Sequence, residues 1–389
     1  MKKSVYLLGG LAALALLGGC GWFKGNSTKR ENIIQPKALV ELVPTLVVKE
    51  AWSHGIGKGA GRSGIRVTPV LHDGKLYTAG VDGEVKAIDA ASGKVFWSRD
   101  VKLKLAGGPG VGNGVLVVGG MDGDVLALDA GNGTERWRAR VSAEVVSAPA
   151  VDAELVYVRS NDGRVFAFDL NDGKQRWVND RATVPLLSLR GNASPHPAGD
   201  LVINATDAGK VMALRASDGA SAWEQSLATA EGRTEVERLS DVDGDLVVDG
   251  DVIYAAAYHG QVVALSLSSG RQVWNRALSS YTNVGVSASQ VYAVDDQSQV
   301  WALDRTSGAS MWKQDALQYR WLSGPAVQGD YVVVGDVEGY VHWLAIADGK
   351  EAARERLSKN AIRATPVVSG DTVYVVDVEG KLAAYRAQL

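Results

Sequence analysis

One motif returns along the chain at intervals of roughly forty residues, and no other feature restricts the possible folds so sharply. Its first full copy runs Asp82-Gly83-x-Val85-x-Ala87-x-Asp89, then Gly93, then Trp97. It returns at Asp122-Gly123 to Trp137, at Asp162-Gly163 to Trp177, and with altered turn residues at Gly209 to Trp223, Gly260 to Trp274 and Ser298 to Trp312. A copy from Gly339 has Ala353 where the others have Trp, and a truncated copy from Gly380 stops at Tyr385, which makes eight in all.

Within each copy, apolar residues fall at a period of two between Gly and Asp turn signals, which is the pattern of short strands. Leu76 to Gly80, Val85 to Ile88 and Lys94 to Trp97 give three strands, and a preceding segment such as Val67-Thr68-Pro69-Val70 gives a fourth. Four strands per repeat make a propeller blade. The last copy lacks its outer strand, while Leu46-Val47-Val48-Lys49-Glu50-Ala51-Trp52 reads as a lone strand ending in a blade-type Trp. Pairing the two removes an exposed sheet edge. The expected fold is therefore all-β: an eight-bladed β-propeller of four-stranded antiparallel blades over residues 46–389, its ring closed by an amino-terminal strand. Trp97, Trp137, Trp177, Trp223, Trp274 and Trp312 are expected to bury at blade contacts with each indole N–H on a backbone carbonyl.

The repeats depart from one another in one place. From turn residue to Trp the spacing is constant at 14, but from Trp to the next turn residue it rises from 26 to 32 after Trp177 and to 37 after Trp223. The extra residues fall after the outer strand, so two insertions, 184–192 and 231–243, are expected side by side on one face. The first is apolar with an arginine (Leu186, Leu187, Leu189, Arg190), and the second is acidic, ending Ser240-Asp241-Val242-Asp243. Long loops on a rigid scaffold, with leucines clustered in one of them, indicate a contact surface for another protein.

At the amino terminus, Lys2 and Lys3 precede an apolar run over 5–17 and then Leu17-Gly18-Gly19-Cys20. The run is shorter than the ~20 residues a spanning helix needs and has the length of a signal-peptide core. Leu-Gly-Gly-Cys resembles the lipobox of bacterial lipoproteins, in which the cysteine is acylated and the segment before it removed. The resemblance implies a signal peptide over 1–19, a lipid anchor on Cys20 and, with Gly21 next, release to the outer membrane with the body facing the periplasm. Residues 20–45 carry no repeat signal and read as a flexible tether; at ~3.5 Å per residue it reaches up to ~85 Å.

Several chemistries are set aside on sequence grounds. A net charge of -3, from 41 basic and 44 acidic residues, gives no footprint for nucleic acid. Asp241-Val242-Asp243-Gly244-Asp245 begins like a calcium loop but has Leu246 and Val252 where Gly and Glu are required. The Gly-rich stretches at 55–61 and 107–112 are not followed by a helix, and the five histidines show no ligand spacing. No cofactor is expected beyond the lipid. The motif Ala-x-Asp-x-x-x-Gly-x-x-x-Trp is similar to that of quinoprotein dehydrogenases, which are also eight-bladed. Those enzymes typically carry an adjacent cysteine pair and long insertions with calcium-binding acids, whereas the lone cysteine here is Cys20 and the blades are short.

Lipobox, tether, eight repeats and two adjacent insertions together resemble the BamB family, propeller lipoproteins of the outer-membrane β-barrel assembly machinery. The most specific stretches are Leu187-Ser188-Leu189-Arg190-Gly191, Arg238-Leu239-Ser240-Asp241-Val242-Asp243 and 334–343. The resemblance implies a non-enzymatic scaffold that binds BamA through its periplasmic POTRA domains, meets the other Bam lipoproteins indirectly, and uses Leu187, Leu189, Arg190, Asp241 and Asp243 for the contact. Two alternatives stay open. Asp241 or Asp243 could pair with Arg190 inside the molecule and shape the loop, and the propeller could hold unfolded outer-membrane polypeptides directly.

Overall fold

The computed structural model describes residues 34–61, 63, 65–180, 193–228, 234 and 240–388. Within the compact unit Pro36–Leu389, the chain forms eight four-stranded sheets, each an antiparallel meander. Blades 1 to 7 follow in chain order over 70–100, 110–140, 150–179, 196–226, 247–277, 285–314 and 326–356. Blade 8 takes three strands from 367–387 and its outermost from Val48–Gly55, which pairs with Lys381–Ala387. The expected ring closure is therefore present, with Trp52 opposite Ala384.

The two middle strands of each blade are apolar on both faces because each blade is sandwiched between two others; Val115–Gly119 of blade 2 is buried at every residue. The outermost strand behaves differently. In blade 1 only Trp97 of Val95–Asp100 is buried. The register explains it: Trp97 lies opposite Ala87 and Val95 opposite Ile88, so Phe96 is an extra residue. The same bulge recurs beside each blade-type Trp, including Trp52. A bulge re-aims the residues beside it, and here it turns the indole into the gap between blades.

Each of these indoles fastens its own blade to the next. Trp52 Nε1 donates to Ala90 O of blade 1, Trp97 to Ala130 O, Trp137 to Leu170 O, Trp177 to Ala216 O, Trp223 to Leu267 O, Trp274 to Arg305 O and Trp312 to Ile346 O, all within 2.7–3.1 Å. The ring lies over the turn glycine of that next blade: a Cβ on Gly219 would stand 2.4 Å from Trp177 Cε3. Trp and Gly of one repeat thus never meet each other; each meets its partner in an adjacent repeat.

Ala353 is the exception, and blade 8 supplies the reason. Its outer strand comes from the other end of the chain, so it has no third hairpin turn for an indole to cover. The incoming segment fills the gap instead, with Thr45 and Leu46 N–H donating to Ala352 O at 2.9 and 3.2 Å. Upstream, Lys37 N–H donates to Gln318 O at 3.0 Å, Arg320 to Lys37 O at 2.9 Å and Arg354 to Val40 O at 3.2 Å. The segment expected as free tether through residue 45 is therefore laid against blades 6 and 7 from Lys37 onward, because its backbone groups find partners there.

Candidate functional site

Both insertions fall largely outside the described residues: all of 184–192, with Leu187, Leu189 and Arg190, and 231–233 and 235–239 of the second. Cys20 lies outside them as well. What the structure places are the roots. Ser194, just after the first insertion, donates its backbone N–H to Asp245 Oδ1 at 2.7 Å, just after the second. Ala193 and Val242, both fully buried, share one apolar cluster with Ile203, Leu227, Leu246 and Ile253 of blades 4 and 5.

The two aspartates of the second insertion are buried, Asp241 at 0% and Asp243 at 4% exposure. Alternation accounts for the fold of this stretch only in part, since Val242 between them is at 0% as well. Expected at a contact surface, the segment is instead wedged between blades 4 and 5 from Ser240 onward. Asp241 O accepts from Tyr258 N–H at 2.8 Å, and Val242 N–H reaches Thr206 O at 3.4 Å. Beneath lies a buried ion pair, Arg159 of blade 3 with Asp207 of blade 4. Burial pushes the Asp243 carboxyl up to about 6; Arg66 opposes that shift, Asp207 adds to it and Arg159 opposes it. Asp243 Oδ1 accepts no hydrogen bond among the described residues.

Asp243 and Asp245 also border a cavity of about 50 Å³ whose walls include Arg66, Thr68, Ser194 and Asn283. Its lining comes from seven of the eight blades, so it lies on the propeller axis. A second cavity, of about 150 Å³, is lined by Arg66, Tyr281, Thr282, Trp321, Leu322 and Arg363. These residues precede the inner strands of blades 1, 6, 7 and 8. Sequence reasoning passed over them, although the repeat carries the signal: Arg66 and Arg363 each stand two places before Thr-Pro, where other copies have Ala106, Val146 or Leu322. Among the described residues no group of three His, Cys, Asp or Glu is arranged to hold a metal, and no helix is long and apolar enough to cross a membrane.

A ring of eight four-stranded blades built from this repeat defines a propeller scaffold of quinoprotein-like repeats. The quinohemoprotein alcohol dehydrogenase of Comamonas testosteroni matches with a TM-score of 0.67 at 15% identity, over 87% of this chain and 76% of that one, which shows the shared fold alone. The BamB structure from Moraxella catarrhalis matches with a TM-score of 0.79 at 26% identity, over 87% of this chain and all of that one.

Sequence comparison narrows the class to one family. The family described as outer membrane protein assembly factor BamB matches over residues 81–314 and 306–388. Relatives of that name are 43% identical in Xanthomonas campestris, covering 99% of both chains, 44% in Pseudomonas aeruginosa, covering 96% of this chain and 97% of that one, and 33% in Escherichia coli, covering 98% of both. The chain belongs to the BamB family of outer membrane protein assembly factors, scaffolds rather than enzymes.

Proposed function

We propose that the chain is a lipid-anchored adaptor: acylated Cys20 holds it at the periplasmic side of the outer membrane, and the two insertions bind BamA through its POTRA domains. The observation that carries this reading is the bond from Ser194 to Asp245, with Ala193 and Val242 in one buried cluster. It fixes the roots of both insertions against each other, as a contact surface shared by the two requires.

The roles of the five residues then divide. Leu187 and Leu189 supply apolar area to the partner and Arg190 sets its orientation, in the manner of anchors at protein interfaces. Asp241 and Asp243 act from beneath, holding the loop rather than touching the partner, because both are buried.

Capture of BamA from gently solubilised membranes tests this. Substitution of Leu187, Leu189 or Arg190 should abolish capture while leaving thermal melting unchanged, and charge reversal at Asp241 or Asp243 should lower both. Retained capture in all five variants overturns the proposed surface.

A second reading, direct holding of unfolded outer-membrane polypeptides, is favoured by apolar side chains exposed on outermost strands: Phe96 at 48%, Val273 at 57% and Met311 at 57%. Such strands can accept an added strand. Crosslinking from Phe96 or Met311, compared with crosslinking from residues 184–192, separates the two readings.

A further inference from the structure

The cavity between blades 1, 6, 7 and 8 has the features of a prepared ligand site. Arg66 and Arg363 enter it from blades that adjoin across the ring closure, and neither makes an ion pair among the described residues. Arg66 Nη2 donates to Tyr281 O at 2.9 Å, and its charge also acts on Asp243 in the adjoining cavity. Among the described residues no carboxylate lines this cavity; Asp243 and Asp245 border a neighbouring one that Arg66 shares, Asp377 borders another that both arginines share, and Asp295 and Asp296 act on Tyr281 from further off. Two guanidinium groups lining one pocket form a strong site for a planar anion, since each can present a fork of donors to it.

The cavity also carries two aromatic side chains, Tyr281 and Trp321, the second on a strained backbone. Trp321 is 58% exposed, unlike the blade-type indoles, and is held at φ +52°, a conformation costly for a bulky side chain. Tyr319, two residues before it, is also left-handed at φ +60°. The residues around Trp321 enforce this shape. Trp321 N–H donates to Ser298 Oγ at 2.9 Å, and Leu322 after it is buried. Arg320 before it is 1% exposed, bonded to Asp336 at 2.7 Å and to Glu338. Strain kept in place by such a frame, on a residue that gains no burial from it, marks a site organised for a ligand.

We infer that this cavity binds an aromatic carboxylate, with the carboxylate on Arg66 and Arg363 and the ring against Trp321. The ligand is either a free small acid or the aromatic carboxyl-terminal residue of a polypeptide, since both present the same groups. Asp243 and Asp245 border the adjoining cavity, so a second negative charge on the ligand is disfavoured in that direction.

The test uses the whole mature protein and N-acetyl-phenylalanine, its carboxamide, and a short peptide ending in phenylalanine as free acid or amide, with binding followed by ligand-observed NMR. The acid form should bind about tenfold or more tightly than the amide, the loss expected when a charged hydrogen-bonding partner is removed. Arg363→Gln should erase the preference for acid over amide, and Trp321→Ala should weaken both forms. Both side chains are exposed, and unchanged melting will confirm that each variant is folded. Binding of the amino acid assigns a small-molecule source, and binding of the peptide acid alone assigns a chain end. Equal binding of acid and amide, absence of binding by every probe, or wild-type binding in folded Arg363→Gln overturns the inference.

Discussion

The backbone N–H of Ser194 donates to Asp245 Oδ1 at 2.7 Å, so that a single side chain fastens the root of one insertion to the root of the other. Asp245 itself is exposed, and the bond is worth about 1 kcal/mol in such a setting. Asp245→Ala should therefore lower stability little, because the apolar cluster around Val242 remains. Its larger effect should be on coupling between the insertions. Hydrogen exchange in 193–198 should accelerate and BamA capture should fall, a combination that simple destabilisation of similar size elsewhere does not produce.

Asp243 makes the pH dependence of stability predictable in sign. Burial raises its folded pKa from 3.8 to about 6, so the folded chain holds this proton more tightly than the unfolded one. The contribution is complete below about pH 4 and is lost as pH rises through about 6. At ~1.4 kcal/mol per pH unit, the cost above that range is on the order of 3 kcal/mol. Asp243→Asn should thus melt higher than wild type at pH 7.5 and close to it at pH 4. An Asn variant that melts lower at pH 7.5 means that attraction to Arg66 and Arg159 outweighs desolvation.

Arg159 and Asp207 are each 4% exposed at the side chain and tie blade 3 to blade 4. Removing one member of a buried pair leaves an uncompensated charge, typically at a cost of about 3–5 kcal/mol, whereas replacing both by apolar residues is often neutral. Arg159→Met and Asp207→Leu should each lower the urea midpoint strongly. The double variant should recover most of the loss. Additive losses in the double variant would falsify a pairwise role for this ion pair.

The propeller was legible because its repeat encodes both partners of each interblade tie, Trp and Gly, at a constant spacing. The closing strand was legible too: Trp52 carried the blade signature without a blade, and it does donate to Ala90 O as its counterparts do. The irregular Ala353 was visible but unexplained until the missing hairpin of blade 8 was seen. Burial of Asp241 and Asp243 was hidden because Asp is seldom buried and nothing in an insertion's sequence marks the exception; only the wedge made by Val242 between two blades shows it. Arg66 and Arg363 lie 297 positions apart in the chain and come together only through closure of the ring.

The interblade tie can be separated into its conformational and packing parts by two glycines. Gly219 and Gly250 both have positive φ, +70° and +59°, so alanine at either adopts a strained backbone costing about 1–2 kcal/mol. Around Gly250 a Cβ meets nothing within 4 Å, whereas at Gly219 it would stand 2.4 Å from Trp177 Cε3. Gly219→Ala must also displace the indole, which loosens the Trp177 Nε1 bond to Ala216 O, now 2.8 Å, and adds an overpacking cost of roughly 1–3 kcal/mol. Urea melts should therefore rank Gly219→Ala well below Gly250→Ala. In a Trp177→Leu background, where no flat ring covers the turn, the two alanine substitutions should cost nearly the same. If the gap persists in that background, the indole is not what makes glycine necessary at this turn.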